Sequence, residues 1–367
     1  MANGDSISKK LEAINLLELE SKARELLPPA VYDYYAGGAN DELTLRENRA
    51  AYERITLLPR MLTDSSRRDM GTTALGEPVS MPILIAPTAF QGLAHPEAEV
   101  GTVKAAGAAE TLMILSTLST CSVEEVMAVA KGPVWFQLYI FKDRGISASL
   151  VRRAEAAGCK AIVFTVDVPA PGRRERDVRN RFKLPDELSV KNLLPAGLQG
   201  LPHEAGGSEL APYIASLFDP ALAWKDIEWL AGITKLPVLV KGVLRSDDAL
   251  LAVKKGASGI IVSNHGGRQL DTTAATISVL PQIADAVDGA VEIYVDGGVR
   301  RGTDVLKAIA CGARATFIGR PVLWGLASGG ESGVRYVLEM MRREFDLAMA
   351  LSGCSTLSSI TLDLIHT

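Results

Sequence analysis

The sequence predicts an α/β chain folded as a (β/α)8 barrel, and three observations carry that expectation. Short apolar runs recur eight times: Pro82–Ala89, Leu112–Thr117, Val134–Tyr139, Ala161–Asp167, Pro237–Gly242, Gly259–His265, Val291–Gly298 and Ala315–Arg320. Helical stretches such as Asp247–Lys255 and Thr303–Ala310 lie between them, and strands alternating with helices imply parallel pairing. A glycine stands a few residues before a run at Gly107, Gly158, Gly256 and Gly312, where a helix would end. Eight such units match a TIM barrel of roughly 250 residues. The competing arrangement is a doubly wound open sheet, but the first βα turn lacks the G-x-G-x-x-G of that fold.

Taken in order, the chain begins with an N-terminal helical extension, residues 1–81, ahead of a barrel over 82–367 in one domain. Residues 11–27 read as an amphipathic helix, with Leu11, Ile14, Leu16, Leu19, Ala23 and Leu26 apolar among charges and Pro28-Pro29 ending it. Three tyrosines, Tyr32, Tyr34 and Tyr35, then precede Gly37-Gly38; they suit either packing or a phenol aimed at a polar ligand. After the fourth run the rhythm breaks. The stretch 170–222 carries prolines, glycines and the basic cluster Arg173, Arg174, Arg176, Arg179 and Arg181. It is too long for an ordinary βα loop, and at the C-terminal face of a barrel it is placed to be a lid. Most of it reads as a surface excursion with solvated charges, the Arg173-Arg174 end excepted.

Composition narrows the function. At 367 residues, 47% hydrophobic and 22% charged, the chain has ordinary globular content. A net charge of −4 offers no basic field for nucleic acid. No apolar run reaches membrane-spanning length. Cys121, Cys159, Cys311 and Cys354 are scattered without metal-site spacing, so neither a zinc site nor a disulfide framework is expected. The first residues lack the basic and apolar regions of a signal peptide, and the last are not the peroxisomal Ser-Lys-Leu. The expectation is a cytoplasmic enzyme with no metal and no membrane partner.

The chemistry gathers at Ser263-Asn264-His265-Gly266-Gly267-Arg268-Gln269-Leu270-Asp271, which follows the sixth run directly. His265 offers a base and Arg268 a fixed cation three residues on, a pairing suited to taking a proton from a substrate held by its carboxylate. Barrel chemistry is built at the C-terminal strand ends. Those ends hold Thr88-Ala89, Ser116-Thr117, Gln137 and Tyr139, Thr165 and Asp167, Lys241, Ser263 and His265, Asp296-Gly297-Gly298 with Arg300, and Gly319-Arg320. Hydroxyls and amides there can satisfy a heterocycle. The segments after the seventh and eighth strands suit a phosphate. Lys241 fits three roles: a Schiff-base amine, a cation beside a developing anion, or the partner of a buried carboxylate.

These residues resemble the FMN-dependent 2-hydroxy acid oxidases, the group of glycolate oxidase and L-lactate oxidase. The resemblance runs from Val31-Tyr32-Asp33-Tyr34-Tyr35 through Ala86-Pro87-Thr88-Ala89, Phe136-Gln137-Leu138-Tyr139, Thr165-Val166-Asp167, Gly172-Arg173-Arg174 and Lys241-Gly242 to the nonamer and Asp296-Gly297-Gly298-Val299-Arg300-Arg301-Gly302. It implies FMN as cofactor, a small 2-hydroxy acid and O2 as partners, and a homo-oligomer, tetramer or octamer. By the same resemblance His265 is the base and Asp167 supports its imidazolium. Arg268, Arg174 and Tyr34 grip the carboxylate, and Tyr139 bonds the hydroxyl or nascent keto oxygen. Thr88-Ala89, Ser116, Gln137, Thr165, Lys241 and Ser263 hold the ring and ribityl parts. Asp296 and the glycines after it, Gly298 included, with Arg300, Gly319 and Arg320, take the phosphate.

The implied reaction is oxidation of a short L-2-hydroxy acid to the 2-keto acid, with O2 reduced to hydrogen peroxide. A dehydrogenase with another electron acceptor, a monooxygenase and a flavin-free Schiff-base barrel are the competitors. Leu118 departs from the plant glycolate oxidase pattern, which has a tryptophan there. The freed volume favours L-lactate, with Phe218 as a possible second wall, whereas Thr88 matches the glycolate pattern.

Overall fold

The computed structural model describes residues 12–194 and 216–366. Its centre is a closed, eight-stranded parallel barrel: β1 (Ile83–Ile85), β2 (Met113–Leu115), β3 (Val134–Leu138), β4 (Ala161–Thr165), β5 (Val238–Val243), β6 (Gly259–Val262), β7 (Glu292–Asp296) and β8 (Ala315–Ile318). Each strand pairs with the next, and β8 returns to β1. The eight apolar runs are therefore the eight strands. Every strand stops at least one residue short of its run except β5, which extends one residue further, to Val243. The polar residues at the ends of the runs leave the ladder because they line the site instead.

Alternation along each strand divides the apolar side chains into two clusters. Leu84, Ile114, Trp135, Val163, Leu239, Ile261, Tyr294 and Phe317 fill one, and their neighbours Ile83, Ile85, Met113, Phe136, Ile162, Val240 and Ile260 join the larger one shared with the helices. A hairpin of Thr72–Ala74 and Glu77–Val79 adds Ala74 and Val79 to the smaller cluster. It is anchored at the starts of β7 and β8, through Glu292 and Arg314, and so closes the N-terminal end of the barrel. The opposite end is left for chemistry.

The extension supplies α1 (Leu16–Leu26), α2 (Pro29–Ala36) and α3 (Leu43–Arg54). α1 starts later than the pattern from residue 11 predicts, because Asn15 caps it, accepting from Leu17 N and Glu18 N at 2.9 Å each. The prolines end α1 and also open α2, where Pro29 occupies the first turn. The outer helices that follow are α4 (Ala98–Ala108), α5 (Val123–Met127), α6 (Arg144–Ala157), α7 (Glu175–Asn180), α8 (Lys225–Ile233), α9 (Ser246–Lys254), α10 (Thr276–Val287), α11 (Gly302–Ala310) and α12 (Arg320–Ser352). Gly158, Gly256 and Gly312 end helices with positive φ, as expected. Gly107 does not: it lies inside α4, and the left-handed residue is Glu110.

The long connection after β4 is described at both ends, with residues 195–215 of the expected lid outside the described residues. Its first part is not a run of solvated charges. Arg176 pairs with Asp33 at 3.4 Å and Glu42 at 2.6 Å, Asn180 bonds Asp33, and Phe182 stacks on Tyr34 with centroids 4.4 Å apart. These contacts dock α7 onto α2. The far end returns to β3, where Phe218 bridges Phe141.

Candidate active site

One cleft at the C-terminal strand ends collects nearly every side chain singled out in the sequence. Thr88, Ala89, Ser116, Leu118, Gln137, Tyr139 and Thr165 line one side. Tyr34, Arg174, His265, Arg268, Lys241, Asp296, Gly298, Arg300, Gly319 and Arg320 line the rest. Asp167 and Ser263 stand behind this wall and act on it. Ser263 Oγ accepts from Lys241 Nζ at 2.8 Å and from His265 N at 3.1 Å.

His265 Nδ1 lies 3.0 Å from Asp167 Oδ1. Burial pushes the Asp167 pKa up, but the imidazole of His265, its hydrogen bond and Lys241 more than offset it and hold the carboxyl below its ordinary range. An ionised carboxylate only accepts, so Nδ1 carries the hydrogen and Nε2 is the ring nitrogen left for a substrate. Gln269 ties the same loop to the end of β4 through Asp167 O and Ala170 O, both at 3.0 Å.

Lys241 is buried and pairs with Asp296 Oδ2 at 3.1 Å. Burial alone would lower its pKa, but Asp296 and Asp167 reverse the direction and raise it. The amine is a fixed cation, which removes the Schiff-base option. The other oxygen of its partner, Asp296 Oδ1, is buried without a hydrogen-bond partner among the described residues. Gln137 is oriented by Ser116 Oγ and Thr117 N on its oxygen and by Thr165 Oγ1 at 3.0 Å on its nitrogen.

Three guanidiniums share the cleft with no ion pair among the described residues. Arg320 donates only to the carbonyls of Tyr35, Gly266 and Gly37. Arg300 donates to Val299 O, and Arg268 Nη1 to Tyr34 O and Gly37 O. Burial first, then the like charges of Arg268 and Arg300, push the Arg320 pKa down to about 9. Burial lowers Arg268 and Arg300 as well. Gly319 and Arg320 also open α12, so its N-terminus adds partial positive charge. Unbalanced cations at one end, an orphan acceptor at Asp296 and an oriented polar wall at the other end fit a polar heterocycle with an anionic tail.

The comparisons decide which one. The family model for FMN-dependent dehydrogenases matches residues 23–367. The chain belongs to that family, and FMN is its cofactor. Glycolate oxidase 1 of Oryza sativa subsp. indica is 54% identical over 356 residues, covering 97% of this chain and 96% of the relative. An L-lactate oxidase of Nostoc sp. is 52% identical over 357 residues, covering 96% and 98%. A crystal structure of mandelate oxidase with (S)-4-hydroxymandelic acid superposes with a TM-score of 0.91 at 45% identity, covering 96% of this chain and 98% of that one. The family of 2-hydroxy acid oxidases expected from the motifs is the one found.

Several residues of this FMN enzyme's site carry no sequence signal of their own. Glu99, fully buried on α4, accepts from Gln91 N, Thr120 N, Thr120 Oγ1 and Cys121 N, clamping the loops after β1 and β2 together. Asp304 accepts from Arg300 N, Arg301 N and Arg49 Nη1, fixing the segment after β7. Arg174 reaches Asp177 at 3.2 Å, a partner the sequence analysis did not consider. Of the three tyrosines, Tyr34 faces the cleft, Tyr35 donates to Phe90 O at 2.6 Å, and Tyr32 stacks on Trp324. Packing accounts for Tyr32, whereas Tyr34 and Tyr35 also line the cleft.

Proposed function

We propose that this chain oxidises short L-2-hydroxy acids, L-lactate ahead of glycolate, to 2-keto acids, with O2 taking the electrons and hydrogen peroxide leaving. When bound, FMN supplies the two-electron acceptor. Arg300, Gly319 and Arg320, with the glycines after Asp296, would take its phosphate, and Thr88, Ala89, Ser116, Gln137, Thr165, Lys241 and Ser263 its ring and ribityl parts, with Lys241 as the fixed cation. His265 Nε2 removes a proton from the substrate, and Asp167 stabilises the imidazolium that results. Arg268 Nη1 donates to Tyr34 O and Gly37 O and the guanidinium also meets the Tyr34 phenol, which holds the planar cation in place for the substrate carboxylate. Arg174 assists by sharing itself between Asp177 and that carboxylate. Burial, then Asp167 and Tyr34, raise the Tyr139 pKa, so its phenol stays protonated and donates to the substrate oxygen. The homo-oligomer and the cytoplasmic compartment belong to the same proposal.

The observation that supports L-lactate is the apolar corner beside Tyr139. Leu118 lines the cleft, and Phe218 stacks on Tyr139 with centroids 4.5 Å apart. A methyl group suits that corner. Thr88, which also lines the cleft, favours the second reading, a glycolate-preferring oxidase. The test is kcat/KM for L-lactate and glycolate with O2 uptake followed. L-lactate should lead while glycolate still turns over, and Leu118→Trp should cost L-lactate more, within the 10- to 200-fold that about one methylene commands. Equal losses, or a wild-type preference for glycolate, overturn the lactate assignment. Reduction by substrate without O2 uptake points to a different electron acceptor.

A further inference from the structure

The turn that carries His265 is strained. His265, Gly266 and Gly267 have φ of 57°, 63° and 75°, three left-handed residues in succession, and the first is not glycine. Such a turn persists only if its surroundings hold it. Part of the hold is local: Gly267 N donates to Asn264 O at 3.0 Å and to Asn264 Oδ1 at 3.3 Å. Ser263 Oγ, Asp167 and Arg320 add to it, bonding His265 N, His265 Nδ1 and Gly266 O, and a further part comes from the extension. Asn48, buried on α3, exchanges two hydrogen bonds with Asn264: Asn48 Nδ2 to Asn264 Oδ1 at 2.9 Å and Asn264 Nδ2 to Asn48 Oδ1 at 2.7 Å. The same helix holds the end of the loop, because Leu43 N and Thr44 N donate to the carboxylate of Asp271 at 3.2 and 2.8 Å.

Asn48 also faces the segment after β7. A Cβ on Gly298, at φ 87°, would lie 2.0 Å from Asn48 O, so only glycine lets α3 come this close. A Cβ on Gly297 would lie 3.4 Å from both Asn48 Nδ2 and Asn264 Oδ1. The adjacent Arg49 donates to Gly298 O at 2.7 Å. The Asn48 side-chain amide therefore stands beside Asn264 and Gly297, while it is the Asn48 backbone carbonyl that Gly298 lets approach.

We propose that Asn48 is a positioning residue for both halves of the site: through Asn264 its amide holds the strained turn that aims His265, and by packing beside Gly297 the same amide bounds the start of the segment assigned to the FMN tail. The proposal rests on the oxidase function stated above. A structural amide pair with no such role would lower stability and nothing else.

The test compares Asn48→Ala with Ala51→Gly, which weakens the same helix through propensity and the loss of one buried methyl but removes no side-chain hydrogen bond. Three readouts are taken at temperatures equally far below each melting point: FMN dissociation constant, rate of flavin reduction by L-lactate and by glycolate, and solvent exchange of the His265 Nδ1 proton by NMR in the flavin-free chain. Asn48→Ala should lose about tenfold or more in reduction rate and weaken FMN binding several-fold, as expected from a small misplacement of reacting groups. Its Nδ1 proton should exchange faster, while Ala51→Gly matches wild type. If Asn48→Ala does not fold, the near-isosteric Asn48→Asp, which removes the donation to Asn264 Oδ1, takes its place. Agreement of the Asn48 variant with Ala51→Gly within twofold on all three readouts overturns the proposal. A wild type that binds FMN but is reduced by neither hydroxy acid overturns the oxidase function instead, and the dissociation constant and proton exchange still decide the role of Asn48.

Discussion

The two ends of the cleft handle charge in opposite ways. At the base end every charge has a partner from the chain: His265 with Asp167, and Lys241 with Asp296 and Ser263. At the tail end Arg300 and Arg320 meet only backbone carbonyls, and Arg268 between the ends meets backbone carbonyls and the Tyr34 phenol. The base end is balanced before any ligand arrives, which is what preorganised chemistry needs. The tail end holds positive charge that a dianionic phosphate neutralises, so binding energy is concentrated away from the reacting atoms.

If that contrast is right, changes at the base end strike rate and changes at the tail end strike cofactor affinity. The largest effect belongs to His265→Gln. It should leave FMN bound and slow flavin reduction by substrate by about 10²–10⁴-fold, the range for a general base. Anaerobic stopped-flow reduction near the wild-type rate would sink the assignment.

Lys241→Met should come next, because it leaves Asp296 buried without its cation. Breaking one side of a buried pair costs about 3–5 kcal/mol, so the melting temperature should fall steeply along with the rate of reduction. A variant as stable as wild type would show that the base end is not internally balanced.

Arg268→Lys tests the residue between the ends. Lysine cannot form the planar fork, and a charged hydrogen bond is worth roughly 1.5–3 kcal/mol, so kcat/KM should drop at least tenfold with FMN still bound. A value within twofold of wild type would mean that Arg268 does not hold the substrate.

The smallest effect sharpens the contrast through pH. Arg320 is lowered to about 9 in the flavin-free chain, and a bound phosphate favours its charged form. Binding then takes up a proton near that pH. FMN affinity should be flat from about pH 7, where the phosphate is mostly dianionic, and fall above about 9. Titrations from pH 7 to 10 check this, and affinity unchanged across that range would contradict it.

How far the sequence reached follows the range of the interactions. The eight apolar runs determined the barrel, because a short continuous apolar run bounded by turn residues is a local property. The site was legible for the same reason: barrel chemistry sits at strand ends, and each end can be read from its own run. The overshoot of the runs into Thr88, Tyr139, Asp167 and His265 was itself the signal, since polar residues that continue a strand's sequence but leave its ladder must face something else. Only the tertiary structure decided what stands behind them. Asn48 and Asn264 are 216 residues apart. Within Leu-Thr-Leu-Arg-Glu-Asn-Arg-Ala-Ala-Tyr-Glu-Arg, the sequence of α3, Asn48 looks like one more polar residue on a solvated helix. Arg176 reads as a surface charge until α2 and α7 come together around Asp33 and Glu42. Periodicity records which face of an element is apolar. It does not record which distant backbone a buried amide or carboxylate will satisfy, and in this protein such long-range bonds tie the extension to the turn that carries His265.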